Sequence, residues 1–179
     1  MLSLVLALSM APAAPLPLTP RAVVVDAVRI ALDDPTIVAI FDAANTYDIE
    51  AATLGARKGT TPSVRNYATM LVKAHTDARQ QGRNLAKKLG VTPTPPKENP
   101  FAADHAAAMK TLESASGQAF DRAFLEHEVA YHKAVINAVQ NTLLPAIQNQ
   151  ELKTLVVHVA PVFVQHEMAG EKLLAALPK

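Results

Sequence analysis

Apolar residues recur at intervals of three and four along most of the chain, and proline and glycine cut this pattern into four long runs. Such spacing lines one face of an α-helix. The first run opens at Asp34-Pro35, a capping carboxylate with proline at the first helical position. It carries Ile37, Ile40, Ala44, Tyr47, Ala51 and Leu54, and Gly59 ends it after Lys58. Thr61-Pro62 opens the second run by the same device. Val64, Ala68, Leu71, Ala78, Gly82, Leu85 and Leu89 form its stripe, and Gly90 closes it. Residues 91–100 hold four prolines and cannot be helical.

A shorter helix is predicted over 102–115, broken at Ser116-Gly117, and a third long helix over Phe120 to about Asn141. Thr142 to Gln148, with Pro145, reads as a turn. The fourth long helix spans about Asn149 to Leu177 with Leu152, Leu155, Val159, Val162, Leu173 and Leu177 as its stripe. Pro161 should kink it, because the ring removes a backbone donor and crowds the preceding turn. No strand pattern appears. The expectation is an all-α antiparallel four-helix bundle over 34–178, with an extra short helix between the second and third long ones.

The first 33 residues behave differently. Leu2 to Ala11 is an apolar run too short to span a bilayer, which needs roughly twenty residues. Ala11-Pro12-Ala13 then fits a small-residue cleavage site, so 1–13 reads as a signal peptide and the chain as exported. The usual Lys/Arg before the run is missing. Residues 14–33 read as a proline-rich linker followed by a short lead-in helix, and the mature chain carries no transmembrane span.

Composition narrows the chemistry. A formal charge of +1, with no basic run interleaved with aromatics, argues against a nucleic-acid partner. The absence of cysteine excludes disulfides, thiolate metal sites and a cysteine nucleophile. A metal would have to be held by histidine and carboxylate. The informative residues are therefore the polar ones that interrupt apolar stripes. Glu50 follows Tyr47 by three on the first helix, and His75 lies mid-stripe on the second. His132 shares a face with Leu125, Val129 and Ile136, with Glu128 one turn earlier. On the fourth helix His158 and His166 compete, and counting residues from the turns favours His158.

A buried carboxylate needs a partner or a metal, and four helices each directing one such group inward form a constellation. Imidazole with carboxylate suits iron, zinc or manganese. The plainer reading is that these side chains only hydrogen-bond one another in a non-catalytic interaction or stress-protection module. A Glu-x-x-His pair on two helices, the di-iron pattern, does not occur, and Glu128-x-x-x-His132 is the nearest feature. Glu126, His127 and His105 are expected in solvent.

Several segments carry a resemblance to a known group. They are Tyr47-Asp48-Ile49-Glu50 with Leu54-Gly55, the Met70 to His75 segment, and Ser116 to Phe124; His132, and Pro161 five before His166, follow them. Over about Pro35 to Leu177 the chain resembles a bacterial ferritin-like family of unknown function, often labelled predicted outer-membrane or periplasmic proteins. Ala74 stands where that pattern usually has Asp. The resemblance implies the ferritin-like fold and an exported location, in the periplasm or associated with the outer membrane, and it favours His166 over His158. No alternating barrel-strand pattern accompanies that label. The ligand set expected is Glu50, His75, Glu128, His132 and His166, with oligomerisation open and no reaction implied.

Overall fold

The computed structural model describes residues 32–99 and 101–178, so the expected signal peptide and, apart from Leu32 and Asp33, the expected linker and lead-in helix lie outside the described residues. All the regular elements there are helical: α1 (Asp34–Lys58), α2 (Pro62–Leu89), α3 (Ala102–Ser114), α4 (Gly117–Ala138), a π-helical turn (Val139–Leu143), the single turn α5 (Leu144–Ala146) and α6 (Gln150–Ala176). The starts follow from local chemistry. Asp33 and Thr61 accept hydrogen bonds from the backbone N–H of Thr36 and Val64, with proline in the first turn of each helix. Asn149 caps α6 by accepting from Glu151 and Leu152.

Two boundaries differ from expectation. The third long helix begins at Gly117 rather than Phe120: Gly117 takes φ 61°, available to glycine without strain, and turns the chain straight into the helix. The predicted 142–148 turn is largely helical. There Leu144 N–H reaches back to the Val139 carbonyl, an i to i+5 bond, just before Pro145, which has no N–H to continue the α pattern.

Each long helix packs against two others: α1 on α2 and α4, and α6 on α2 and α4, while α3 lies against α1 and α4. The buried apolar side chains form two clusters. One holds Ile37, Phe41, Tyr131, Val139, Leu152 and Phe163. The other holds Ala52, Leu54, Tyr67, Leu71, Phe120 and Phe124. Along α1 and α6 the chain passes from the first cluster to the second, and along α2 and α4 it returns. Between the clusters every long helix contributes a buried polar residue: Asn45 and Asp48, His75, Glu128 and His132, and His166. Close approach of the helices supports this layer, since a Cβ on Gly55 would lie 2.5 Å from the buried Phe124 ring. Among the described residues no helix is long and apolar enough to cross a membrane.

A candidate metal centre

Asn45 fixes the first element of the site. Its side-chain N–H donates to the Phe41 carbonyl at 2.8 Å, so its Oδ1 is the atom facing His75 Nδ1 at 3.0 Å. That oxygen can only accept, so the His75 proton sits on Nδ1 and Nε2 carries a free lone pair. His132 repeats the arrangement one helix away. Its Nδ1–H donates to the Glu128 carbonyl one turn back, at 2.9 Å, and Nε2 is again the lone-pair nitrogen.

The two Nε2 atoms face each other at 3.3 Å. His166 Nδ1 lies 3.2 Å from His75 Nε2, and Asp48 Oδ2 lies 3.4 Å and 3.6 Å from the Nε2 atoms of His75 and His132. Three imidazole nitrogens and a carboxylate oxygen, drawn from all four long helices, thus converge on one point. A proton on His166 Nδ1 would satisfy His75, but His132 Nε2 would still face an acceptor. Among the described residues no donor outside the pair reaches the carboxyl oxygens of Asp48 or Glu128; only a proton held by one of the two carboxyls can join them.

Burial sets the protonation of these groups. His75, His132 and His166 are 4%, 1% and 3% exposed, so water does not stabilise their charged forms. Desolvation pushes His132 and His166 down to about 4. It lowers His75 well below the ordinary range, with the neighbouring His132 and His166 adding to the effect. All three are neutral at pH 7, the form that binds metal. Desolvation raises the Asp48 carboxyl to about 8. Glu128 is raised well above the carboxylate range by desolvation first and then by Asp48 beside it. Burial without a cation thus favours the protonated form of both carboxyls, and a proton on one can be shared with the other. The triad His75, His132, His166 and the overlapping set Asp48, Glu128, His132 each bring their donor atoms within 4.8 Å of one another, a spacing that could hold a metal ion.

Of the residues singled out in the sequence, His75, His132, His166 and Glu128 meet in this layer. Glu50 does not. Its side chain is half exposed and accepts from His105 Nε2 at 2.7 Å, because two residues on from Asp48 a helix has turned toward α3. Asp48 takes the place expected of Glu50. His158, favoured by counting, is exposed, and His166 joins the cluster. His105 is buried rather than solvated, stacked on Tyr47 with centroids 4.4 Å apart. His127 is half-buried and pushed down to about 4, by desolvation first and then by His105 and His132. Asn45 and Asp48 were missed, although a signal existed. Phe41, Asn45, Asp48, Ala52 and Gly55 form a second line at helical spacing, all buried, whose small Ala52 and Gly55 mark tight packing.

A comparison with curated proteins finds no match. Among solved structures the chain is similar to the crystal structure of a DUF305 fragment from Deinococcus radiodurans, with TM-score 0.64 and 17% identity. The match covers 80% of this chain and 97% of that one, and at this identity it speaks to fold alone. The family model described as "Domain of unknown function (DUF4142)" matches residues 19–173, most of the chain, and the protein belongs to that family.

Proposed function

We propose that this chain is an exported, ferritin-like, antiparallel four-helix bundle protein that binds a transition metal through His75, His132, His166 and Asp48. Glu128 lies beside them as an additional carboxylate. The observation that carries the reading is the pair of lone-pair Nε2 atoms 3.3 Å apart, each fixed in that tautomer by a bond on its other side. Two acceptors at that distance repel unless a cation or a donated proton lies between them, and bonds from the other ring nitrogen to Asn45 and to a backbone carbonyl are what metal-bound histidines ordinarily make. Three nitrogens and one carboxylate oxygen suit iron, zinc or manganese. The ferritin-like assignment draws support from the connection between α2 and α4. Both helices run the same way between the two clusters, joined by the single long crossover that carries α3.

The alternative, a non-catalytic periplasmic module with a hydrogen-bonded polar core, has for this layer only the protons that Asp48 and Glu128 themselves retain, and Asp48 Oδ2 lies a long 3.4 Å and 3.6 Å from the two Nε2 atoms. Metal analysis of protein purified without chelator, repeated on His75→Ala/His132→Ala, tests the proposal. Wild-type protein should carry metal that the variant lacks, and equal content in both rejects it. The domain organisation belongs to the same proposal: signal peptide 1–13, linker and lead-in 14–33, bundle 34–178. Mass spectrometry of the protein from its native host should then find a chain beginning near Ala14.

A further inference from the structure

A cavity of about 20 Å³ lies against the histidine layer, on the side of the first apolar cluster. Phe41, Phe101, Tyr131, Val135, Leu143 and Phe163 wall it together with His75 and His132, and only apolar atoms face the space. The polar groups nearby are all engaged elsewhere. Tyr131 O–H donates to the Ala44 carbonyl at 2.9 Å, and the Asn45 amide is held by Phe41 and His75. His75 lies flat on Phe163, centroids 5.1 Å apart, so ring carbons close that side.

The volume slightly exceeds the 10–15 Å³ that one water occupies on this measure, yet a buried water needs two to four polar partners. The wall offers none. An ion is disfavoured still more strongly, because nothing repays its desolvation. What the space suits is a small, neutral, apolar molecule.

We propose that this chamber is a binding site for a neutral diatomic molecule of the size and polarity of dioxygen, held beside the histidine layer. The chamber is formed by the protein alone. Its meaning as a holding position next to a metal rests on the metal-binding reading above. No bond is made or broken in this binding. The lone pairs of His75 and His132 point into the donor cluster and not into the chamber, so a molecule here is a neighbour of the centre and not one of its ligands.

The test uses metal-free full-length protein and dioxygen itself as the probe. Methyl relaxation is measured by NMR under dioxygen pressure and again under dinitrogen. The paramagnetic enhancement at the Ala44 and Ala138 methyls, which line the chamber, should exceed that at exposed Ala106 by roughly twofold or more, since apolar cavities concentrate apolar gases. Ala138→Leu fills the space and should bring Ala44 down to the Ala106 level, while zinc titration of the same variant remains as in wild type. Ala44→Val serves the same purpose if Ala138→Leu does not fold. Enhancement at Ala44 and Ala138 no greater than at Ala106 in wild type overturns the chamber, whatever the zinc titration shows. Loss of zinc binding in wild type with the enhancement intact overturns the metal reading and leaves the chamber standing.

Discussion

Replacing Asp48 by asparagine should make the metal-free protein more stable while removing its response to metal. In the fold Asp48 is 1% exposed and its carboxyl is pushed up to about 8, against an ordinary value of 3.8. At pH 7 the unfolded chain ionises this group and the folded chain does not. That gap of roughly three units, at about 1.4 kcal/mol per unit, lowers stability by on the order of 4 kcal/mol. Asparagine has no such ionisation. It also keeps a donor in the layer: an amide N–H in the place of Oδ2 would lie 3.4 Å and 3.6 Å from two lone-pair nitrogens, as the proton of the neutral carboxyl does. Because burying an amide has its own cost of about 1–3 kcal/mol, a net gain of about 2 kcal/mol is expected. With a urea slope of about 2 kcal/mol per molar, the midpoint should rise by about 1 M in the presence of chelator. Added metal at a hundredfold its dissociation constant should stabilise wild type by about 2.7 kcal/mol and Asp48→Asn by far less. A midpoint for metal-free Asp48→Asn equal to or below wild type would refute the reasoning.

Other perturbations probe the same layer. Gly55→Ala should destabilise by about 1–3 kcal/mol in urea melts despite better helix propensity, because its Cβ would meet Phe124, a ring with no exposed surface and no room to retreat. Pro161→Ala restores the N–H that the Val157 carbonyl lacks, so α6 should gain helical stability. If the proline aims His166 at the cluster, metal titration should show weaker binding in the variant, and unchanged affinity would break that link. The metal-free protein should be most stable near pH 6.5. As pH falls below that value the unfolded chain protonates histidines that the fold keeps neutral, namely His75, His127, His132 and His166, and stability is lost toward pH 4. As pH rises from 3.8 toward 8 the unfolded chain gives up protons that Asp48 and Glu128 retain in the fold, so stability declines on the alkaline side. Bound metal needs Asp48 ionised and should abolish the alkaline decline in urea midpoints measured between pH 5 and 8.5.

Most of the helical architecture was legible because its signals are local. Thr61 and the prolines at the first helical turns mark where helices begin, whatever the tertiary context; the first helix is capped by Asp33, one residue before the Asp34 expected, while Asp34 accepts from the backbone N–H of Gln148 and Asn149. The π-helical turn at 139–143 was not legible, since it depends on how the chain before Pro145 packs onto the first cluster. For the site, His75 and His132 were readable because each breaks an apolar stripe. Asp48 was not, since the stripe read from Ile37, Ile40, Ala44 and Tyr47 is one edge of a broader buried face, and the line through Asn45 and Asp48 is the other. A helix packed on two neighbours buries more than one stripe, and an alternation of polar and very small residues is the trace it leaves. His166 was misplaced by counting for a related reason. Residue counts from a turn assume level, straight helices, which a 27-residue helix with proline in its interior need not be.

The position of the polar layer constrains what the protein can be. It divides the core into two apolar clusters, and each long helix crosses it once. In the metal-free state the layer holds neutral histidines whose Nε2 lone pairs oppose one another across α2 and α4, and two carboxyls that no donor outside the pair reaches among the described residues. An apolar layer would be more stable. A cation with ligands from α1, α2, α4 and α6 would engage all four helices at once, and its binding energy would then hold the helices together. Metal binding and closure of the helices are then one equilibrium. A variant that loses any single ligand should therefore lose cooperativity between the two halves of the core as well as metal. His75→Ala should lower the metal-induced rise in unfolding midpoint for probes in both clusters, Phe163 in the first and Phe124 in the second, and not only for those nearest α2.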